Sequence, residues 1–263
     1  NMVYSSINGV LFNKDQTLLI QCPGGWTGGY TISPNVTRIG AGAFSNCFNL
    51  GNVTLGSGVT NIGSYAFYGC TGLTNIMVDD NNQYYNSISG VLFNKSSTQL
   101  ILYPAGNVGD YTIPDGVTSV GSEAFFNCGS LTSVTIPNSV TDIGYSAFRN
   151  CTGLVSVTIG NSITRIGSNA FKGCTNLASV SIGSGVTSIG DYAFSGCNRL
   201  TSVEYNSNAS WPFSGITSLT NIVIGNNVTG IGSYMFAGYT NLKGILIGNG
   251  VTSIGAGAFS NCT

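Results

Sequence analysis

The sequence predicts an α/β solenoid, in which a short coil repeats along the chain and stacks its strands into a parallel β-sheet. Three observations predict it: a 23-residue period, a strand-like apolar pattern in each period, and a Gly or Asn at one fixed position of each period. Periods in the twenties are typical of solenoids. The phenylalanines that mark the repeat are separated by 23, 58, 23, 23, 23, 19, 23 and 23 residues. They are Phe44, Phe67, Phe125, Phe148, Phe171, Phe194, Phe213, Phe236 and Phe259.

One regular unit, LTSVTIPNSVTDIGYSAFRNC at residues 131–151, shows how a coil is built. Leu131, Val134 and Ile136 form the apolar pattern of a short strand whose inward side chains stack on the next coil. Strands repeated at a fixed period with the same direction build a parallel sheet. The segment after Gly144, YSAFRN, is expected to form one short helical turn.

A column of glycines and asparagines marks a chain reversal in every unit. These two residue types tolerate the left-handed conformation best, which is a usual way to end a helix. The column consists of Asn46, Gly69, Asn127, Asn150, Gly173, Gly196, Gly215, Gly238 and Asn261. A second glycine column opens the turn, where a positive φ or a close approach between coils excludes a side chain. Its members are Gly40, Gly63, Gly121, Gly144, Gly167, Gly190, Gly232 and Gly255.

Seven of the eight cysteines share one column, in which Ile216 and Tyr239 fill the same position of two other units. A position that accepts Ile and Tyr is a packing position, so buried free thiols are favoured over disulfides. Metal binding is the least favoured interpretation, because the chain contains no histidine and no C-x-x-C pair. The column consists of Cys47, Cys70, Cys128, Cys151, Cys174, Cys197 and Cys262.

Two modules interrupt the repeats. Residues from Tyr85 match residues from Tyr4 at a constant offset of 81, and each copy contains GVLFNK followed by an apolar run after a polar turn, which predicts a β-hairpin. We therefore expect one domain over residues 1–263, with hairpin modules at about 3–32 and 84–113 and repeats at about 33–83 and 114–263. The chain ends in mid-motif, so we also expect it to be a fragment of a longer protein.

Composition excludes several function classes. Only 6% of the residues are charged and the formal net charge is −1, so no basic surface is available for nucleic acid, and no apolar run is long enough for membrane insertion. Without histidine, and with nine scattered carboxylates, the chain lacks the usual catalytic groups. The sequence therefore predicts no enzyme, no cofactor and no metal site.

The unit at residues 131–151, the GVLFNK and YTIPDGVTSVG segments and the cysteine column resemble the BspA-like, Treponema-type leucine-rich repeat surface proteins with a 23-residue motif. The resemblance implies a right-handed, curved solenoid at the cell surface or in secreted form. It also implies adhesion or binding to a host or extracellular-matrix protein, and it carries no catalytic residues. The chain departs from the motif in the 19-residue unit containing NASWPFSG and at Tyr239, which puts the regularity of the C-terminal half in question.

The outward positions of the predicted strands contain the candidate binding site. Most are short and neutral, but the pattern is broken by residues that we interpret as partner-binding: Met77, Glu204, Trp211, Val223, Lys243 and Leu246. Apolar anchors beside charged residues are typical of partner sites. Two alternatives remain open at this point. The chain is an inert spacer or stalk, or, less favoured, an unbroken threonine column from Thr37 to Thr252 orders water on ice. The oligomeric state is also open.

Overall fold

The structure, a computed structural model, describes residues 1–262. Within these residues it contains 24 strands and no helix. The chain forms two compact units, Asn1–Asn107 with Glu123–Cys128 and Val108–Ser122 with Gly129–Thr263. Each unit is a parallel β-solenoid in which a long strand and a two-residue strand alternate along every regular coil.

The first unit combines antiparallel modules with parallel coils. Long strands β4, β6 and β8 pair in parallel in that order, and short strands β5 and β7 continue the sheet that begins with β1, β2 and β3. The module strands are β1 (Tyr4–Ile7), β2 (Val10–Asn13), β3 (Leu18–Gln21), β9 (Tyr85–Ile88), β10 (Val91–Asn94) and β11 (Gln99–Leu102). The coil strands are β4 (Thr27–Thr31), β5 (Arg38–Ile39), β6 (Asn49–Leu55), β7 (Asn61–Ile62) and β8 (Asn75–Val78).

The second unit contains only parallel coils. Its long strands form the sheets β12-β14 and β16-β18-β20-β21-β23, and its short strands pair as β13-β15-β17-β19 and β22-β24. The long strands are β12 (Gly109–Thr112), β14 (Leu131–Thr135), β16 (Ser156–Ile159), β18 (Ser179–Ile182), β20 (Ser202–Tyr205), β21 (Asn221–Ile224) and β23 (Gly244–Ile247). The short strands are β13 (Ser119–Val120), β15 (Asp142–Ile143), β17 (Arg165–Ile166), β19 (Ser188–Ile189), β22 (Gly230–Ile231) and β24 (Ser253–Ile254).

Stacked phenylalanines run through the core of both units. Phe44 lies on Phe67 with ring centroids 5.1 Å apart and planes 5° from parallel. Phe148, Phe171 and Phe194 continue the same arrangement in the second unit at 5.0 and 5.1 Å. Each of these rings is buried. Burial of one such side chain contributes roughly 1.5–3 kcal/mol, so the repeated phenylalanine is a main source of the stability of each coil.

The prediction of a short helical turn in each coil is wrong, and with it the α/β class. The segment is a run of turns that contains two left-handed residues, such as Ser146 (φ 51°) and Asn150 (φ 59°). A residue in the left-handed conformation cannot be part of a right-handed helix. Every second amide of the segment also forms its hydrogen bond outside its own coil. The N–H groups of Ser146, Phe148 and Asn150 donate to carbonyls of the next coil at 3.0, 2.7 and 2.8 Å. A helix would need these donors for its own carbonyls.

Both glycine columns have the conformations that their residue types indicate. The predicted left-handed column is confirmed at all nine positions, with φ between 57° and 81°. In the second column, glycine is required by the close approach of neighbouring coils and not by a positive φ. A Cβ on Gly144 would lie 2.6 Å from the Ser122 nitrogen, and one on Gly190 would lie 2.3 Å from the Ser168 nitrogen. Gly232 follows the shortened unit and has more room, because its nearest contact would be the Met235 side chain at 3.6 Å.

The threonine column is part of the backbone hydrogen bonding between coils. The hydroxyl of Thr164 donates to the carbonyl of Thr141 at 3.1 Å, and Thr187 donates to Thr164 at the same distance. The amide of each of these threonines donates to the same carbonyl. Because the hydroxyl hydrogens point to protein carbonyls and not to solvent, the column has a structural role.

The cysteines are reduced, as predicted, and no disulfide joins any of the eight, which all lie within residues 1–262. Seven are buried and Cys262 is half-buried. Four of the thiols donate to the carbonyl of the preceding coil's phenylalanine, as Cys70 does to Phe44 at 3.1 Å and Cys197 to Phe171 at 3.3 Å. Burial raises the pKa of Cys70 to about 12. The column therefore combines packing with a weak hydrogen bond.

The two departures from the repeat compensate each other. The 19-residue unit lacks a short strand, which separates β19 from β22, yet the long strands stay in register, with Ser202 opposite Asn221. The Trp211 ring fills the gap and lies edge-on, 5.0 Å from both Phe213 and Phe236. Its indole N–H donates to the Tyr239 hydroxyl at 2.9 Å. The C-terminal half thus keeps the regularity of its long strands.

Each module is a three-stranded meander and not a single hairpin. The predicted β2–β3 hairpin is confirmed, and β1 adds a second antiparallel pair in which Tyr4 lies opposite Asn13. The β1–β2 turn consists of Asn8 (φ 50°) and Gly9 (φ 83°), the backbone of a type I′ hairpin turn. Its Asn-Gly dipeptide is the signal in the sequence that indicates this hairpin.

Candidate partner-binding surface

Three successive long strands place the predicted outward residues side by side. In the parallel pairing of β20, β21 and β23, Glu204 lies opposite Val223, and Val223 lies opposite Leu246. Their chain neighbours Val203 and Ile222 point into the core and are buried. The predicted column is therefore real, and we refer to Glu204, Val223, Leu246 and the adjacent Lys243 as the β20–β23 patch.

The patch combines two apolar and two charged side chains. Leu246 is 68% exposed and Val223 is half-buried, so the two present apolar surface to solvent. Strands stack about 4.8 Å apart, which gives the row of three residues a length of roughly 10 Å. Contiguous exposed apolar surface of this kind is a feature of interaction sites.

Two charged side chains border the apolar row. Glu204 is exposed and accepts a hydrogen bond from the Ser181 hydroxyl at 3.1 Å, which holds the carboxylate along the strand face. Lys243 is exposed, and its backbone amide donates to the Thr220 carbonyl at 2.8 Å. The ion pair between Arg165 and Asp142 joins the short strands β17 and β15 and involves neither charge of the patch.

The other two predicted site residues lie elsewhere. Trp211 is half-buried, and its ring is engaged by Phe213, Phe236 and Tyr239, so it supports the patch from within the core. Met77 lies in β8 of the first unit, opposite Thr54, and is 42% exposed. The structure thus brings together four of the six predicted residues.

Sequence reasoning missed a shallow open groove at the starts of β16, β18 and β20, of which only β20 belongs to the patch. It is lined by Val155, Ala178 and Thr201, with the Arg199 guanidinium exposed beside them. The second position of the strand motif supplies this lining, and Lys243 occupies the same position two coils further on. Reading that column in the sequence, in which Val155 and Ala178 are two successive apolar members, points to the groove.

Other kinds of site have no counterpart in the described structure. Within residues 1–262, no three His, Cys, Asp or Glu side chains come together in a way that holds a metal ion. The Asp79–Asn82 loop is closed by its own hydrogen bonds, with Asn81 N donating to Asp79 Oδ1 at 2.9 Å. Among the same residues, no helix has the length and apolar character needed to cross a membrane.

Sequence comparison identifies the repeat. A family model for the BspA-type leucine-rich repeat region, in six copies, matches residues 29–104, 101–211 and 204–263. The chain belongs to the BspA-type leucine-rich repeat family. No curated protein matches the sequence.

Three solved bacterial structures share the fold of this chain. A leucine-rich repeat protein from Eubacterium ventriosum is 21% identical, with a TM-score of 0.64 over 98% of this chain and 94% of that one. The pneumococcal vaccine antigen PcpA is 22% identical, with a TM-score of 0.68 over 85% and 68%. A leucine-rich repeat protein from Bacteroides ovatus is 21% identical, with a TM-score of 0.51 over 100% and 79%. The structural similarity shows a shared solenoid fold, and at these identities it shows the fold alone.

Proposed function

We propose that this BspA-type chain is a non-catalytic protein-binding module, displayed at the cell surface or secreted, that engages its partner through the β20–β23 patch. The observation that carries the proposal is the in-register row of Glu204, Val223 and Leu246, which interrupts an otherwise short and neutral strand face. Apolar anchors with a charged border are the usual composition of a partner site.

The setting of the patch supports a protein ligand over a small molecule. The strand face of a solenoid is broad and open, which suits a macromolecular surface, whereas small molecules need an enclosing pocket. The groove lined by Val155 and Thr201 adds open surface at the starts of β16, β18 and β20, the last of which carries Glu204. Extracellular display is supported by the family resemblance and by the pneumococcal neighbour, which is described as a vaccine antigen. A host or extracellular-matrix protein is the partner class that these observations favour.

The test compares two double variants on a panel of immobilised extracellular-matrix and plasma proteins. Val223→Asp with Leu246→Asp places two charges in the apolar row and is expected to weaken binding to the captured protein at least about tenfold, since each buried anchor contributes about 1 kcal/mol or more. The matched control, Ile88→Asp with Val108→Asp, changes two other exposed apolar residues, 36% and 75% exposed.

The control variant is expected to bind as the parent chain does. Far-ultraviolet circular dichroism and the melting temperature establish that both variants are folded. Unchanged affinity in a folded Val223→Asp and Leu246→Asp variant would place the site elsewhere on the solenoid. Absence of binding to every protein of the panel would favour the spacer function.

A further inference from the structure

The shortened unit interrupts the hydrogen bonding between the turns of neighbouring coils. In a regular pair of coils, three amides of one turn donate to carbonyls of the next, as those of Asn169, Phe171 and Gly173 do at 2.9, 2.7 and 2.8 Å. The unit after the next turn has only 19 residues in place of 23, and its turn segment is too short to supply these acceptors. Three amides therefore donate to no carbonyl within residues 1–262: those of Tyr192, Phe194 and Gly196.

Glycines beside the shortened unit show open space where regular coils are in contact. A Cβ on Gly167 or Gly190 would lie 2.6 or 2.3 Å from the backbone of the preceding coil. Gly232, the equivalent residue after the shortened unit, has no such contact, and a Cβ on Gly215 or Gly238 would meet nothing within 4 Å. The Trp211 ring fills the gap only inside the core. We refer to the opening that remains between the turns at residues 190–196 and 232–238 as the notch.

Two exposed tyrosines border the notch. Tyr192 is 69% exposed and Tyr234 is 65% exposed, and they occupy the same position of their turns. On the side of the preceding coil, Lys172 Nζ lies 5.6 Å from the centre of the Tyr192 ring. On the side of the following coil, a Cβ on Gly257 would lie 2.6 Å from the Tyr234 ring. Each ring is thus contacted from the side away from the notch, which leaves its other side open to the notch.

The fold does not require a tyrosine at this position. Tyr192 and Tyr234 have left-handed backbones, with φ 58° and 57°, whereas Asn169 and Gly257 fill the same position of other turns. Asparagine and glycine adopt this conformation at a lower cost than tyrosine does. Because both rings are mostly exposed, their burial does not offset that cost. Exposed aromatic side chains on a strained backbone are typical of a binding site.

The notch has the width and the polar groups for one sugar ring. Its two tyrosines belong to turns two coils apart, a separation of about 10 Å. A ring held between two aromatic rings needs about 7–8 Å, because carbon atoms pack at about 3.5–4.0 Å. The Tyr192 and Gly196 amides are donors at the border, and the exposed Asp191 carboxylate is an acceptor. A sugar has apolar C–H faces for the rings and hydroxyls that both donate and accept.

We propose that the notch binds a neutral hexose unit of a glycan, with the sugar ring between Tyr192 and Tyr234. Lys172 and Asp191 bring one charge of each sign to the border, so no net field favours an anionic glycan. A proline-rich peptide also stacks on tyrosines, but its prolines have no N–H for the Asp191 carboxylate. The notch lies among the turns and the β20–β23 patch on the long strands, so the two sites are independent.

Saturation-transfer difference NMR with lactose, maltose and cellobiose tests the proposal. At least one of the three is expected to bind the parent chain, with the strongest saturation on the C–H protons of the stacked ring. Tyr192→Asn and Tyr234→Asn each remove one ring and introduce a residue that adopts the left-handed conformation, and each is expected to weaken binding about fivefold or more. The matched control, Tyr65→Asn, makes the same change at φ 56° in a turn that does not border the notch, and it is expected to bind like the parent.

The peptide acetyl-tetraproline-amide probes the competing occupant. Circular dichroism and the melting temperature establish that the parent and the variants are folded. The proposal would be overturned by a folded parent chain that gives no signal with any of the three disaccharides. Equal losses of affinity in Tyr65→Asn and Tyr192→Asn, or a tetraproline peptide that binds through Tyr192 in place of the sugars, would overturn it as well.

Discussion

The hydroxyl of Tyr239 donates a hydrogen bond to the carbonyl of Phe213 at 2.7 Å, in the place where cysteine thiols of other coils donate to the equivalent phenylalanine carbonyl. Tyr239 also accepts the Trp211 indole N–H at 2.9 Å. The Tyr and Trp together therefore replace a thiol and a missing short strand. This relationship explains how one irregular unit is tolerated inside a regular solenoid, and it leads to the first prediction.

Removing the Tyr239 hydroxyl is expected to destabilise the protein. Tyr239→Phe keeps the ring but leaves the N–H of the half-buried Trp211 without its acceptor, and an unsatisfied donor away from water costs about 1–3 kcal/mol. Urea unfolding measures the free energy change. Tyr145→Phe removes a hydroxyl from a tyrosine that is 42% exposed, and we expect a change within about 0.5 kcal/mol. Equal effects of the two substitutions would show that the Tyr239 hydrogen bonds do not contribute.

The thiols are expected to differ in accessibility. Cys262 is half-buried in the last coil, whereas the other seven cysteines are buried. Thiol titration of the native protein should therefore give one faster-reacting group, absent in Cys262→Ser, and seven that react only after denaturant is added. Detection by mass spectrometry of a bridge between Cys151 and Cys174 would contradict the reduced column.

Stability is expected to fall at alkaline pH. Burial raises the pKa of Cys70 from 9.0 to about 12 and that of Tyr30 from 10.0 to about 12. The folded state holds these protons more tightly than the unfolded state, so their contribution is complete below about pH 9 and is lost as the pH rises through about 12. The urea midpoint, measured with reductant present, should decline from about pH 9 upward. A constant or rising midpoint over this range would be inconsistent with protonated, buried groups.

The two glycine columns are expected to respond differently to substitution. Gly238 has φ 81° and open space where a Cβ would lie, so Gly238→Val should cost about 1–3 kcal/mol through backbone strain and Gly238→Asn less than about 1 kcal/mol. Gly144→Ala should cost about 1–3 kcal/mol although the φ there is not left-handed, because the new Cβ lies 2.6 Å from the Ser122 nitrogen. Equal losses of stability for Gly238→Val and Gly238→Asn would show that packing, and not the backbone angle, selects the residue in that column.

Much of the solenoid was predictable because its repeated structural positions each accept only a few residue types. Only Gly or Asn occupies the chain reversal, and the apolar strand positions recur with the period, so the reversals and the strand register follow from the sequence alone. The column of Glu204, Val223 and Leu246 was predictable for the same reason. The inward orientation of the Trp211 ring was not predictable. A tryptophan can be an exposed binding residue or fill a gap in the core, and only the surrounding residues decide between the two.

The sequence by itself determined that a 23-residue coil stacks in parallel, reverses at a glycine or asparagine and keeps its cysteines inside. Only the tertiary structure decided that the turn is not a helix. A second left-handed residue in eight of the nine turns carries types as different as Tyr192, Glu123 and Ser146, so no residue pattern marks it. The left-handed conformation costs about 1–2 kcal/mol there. Amide hydrogen bonds to the next coil, such as Ser146 to Ser168 at 3.0 Å, offset that cost, and they exist only once the coils are stacked.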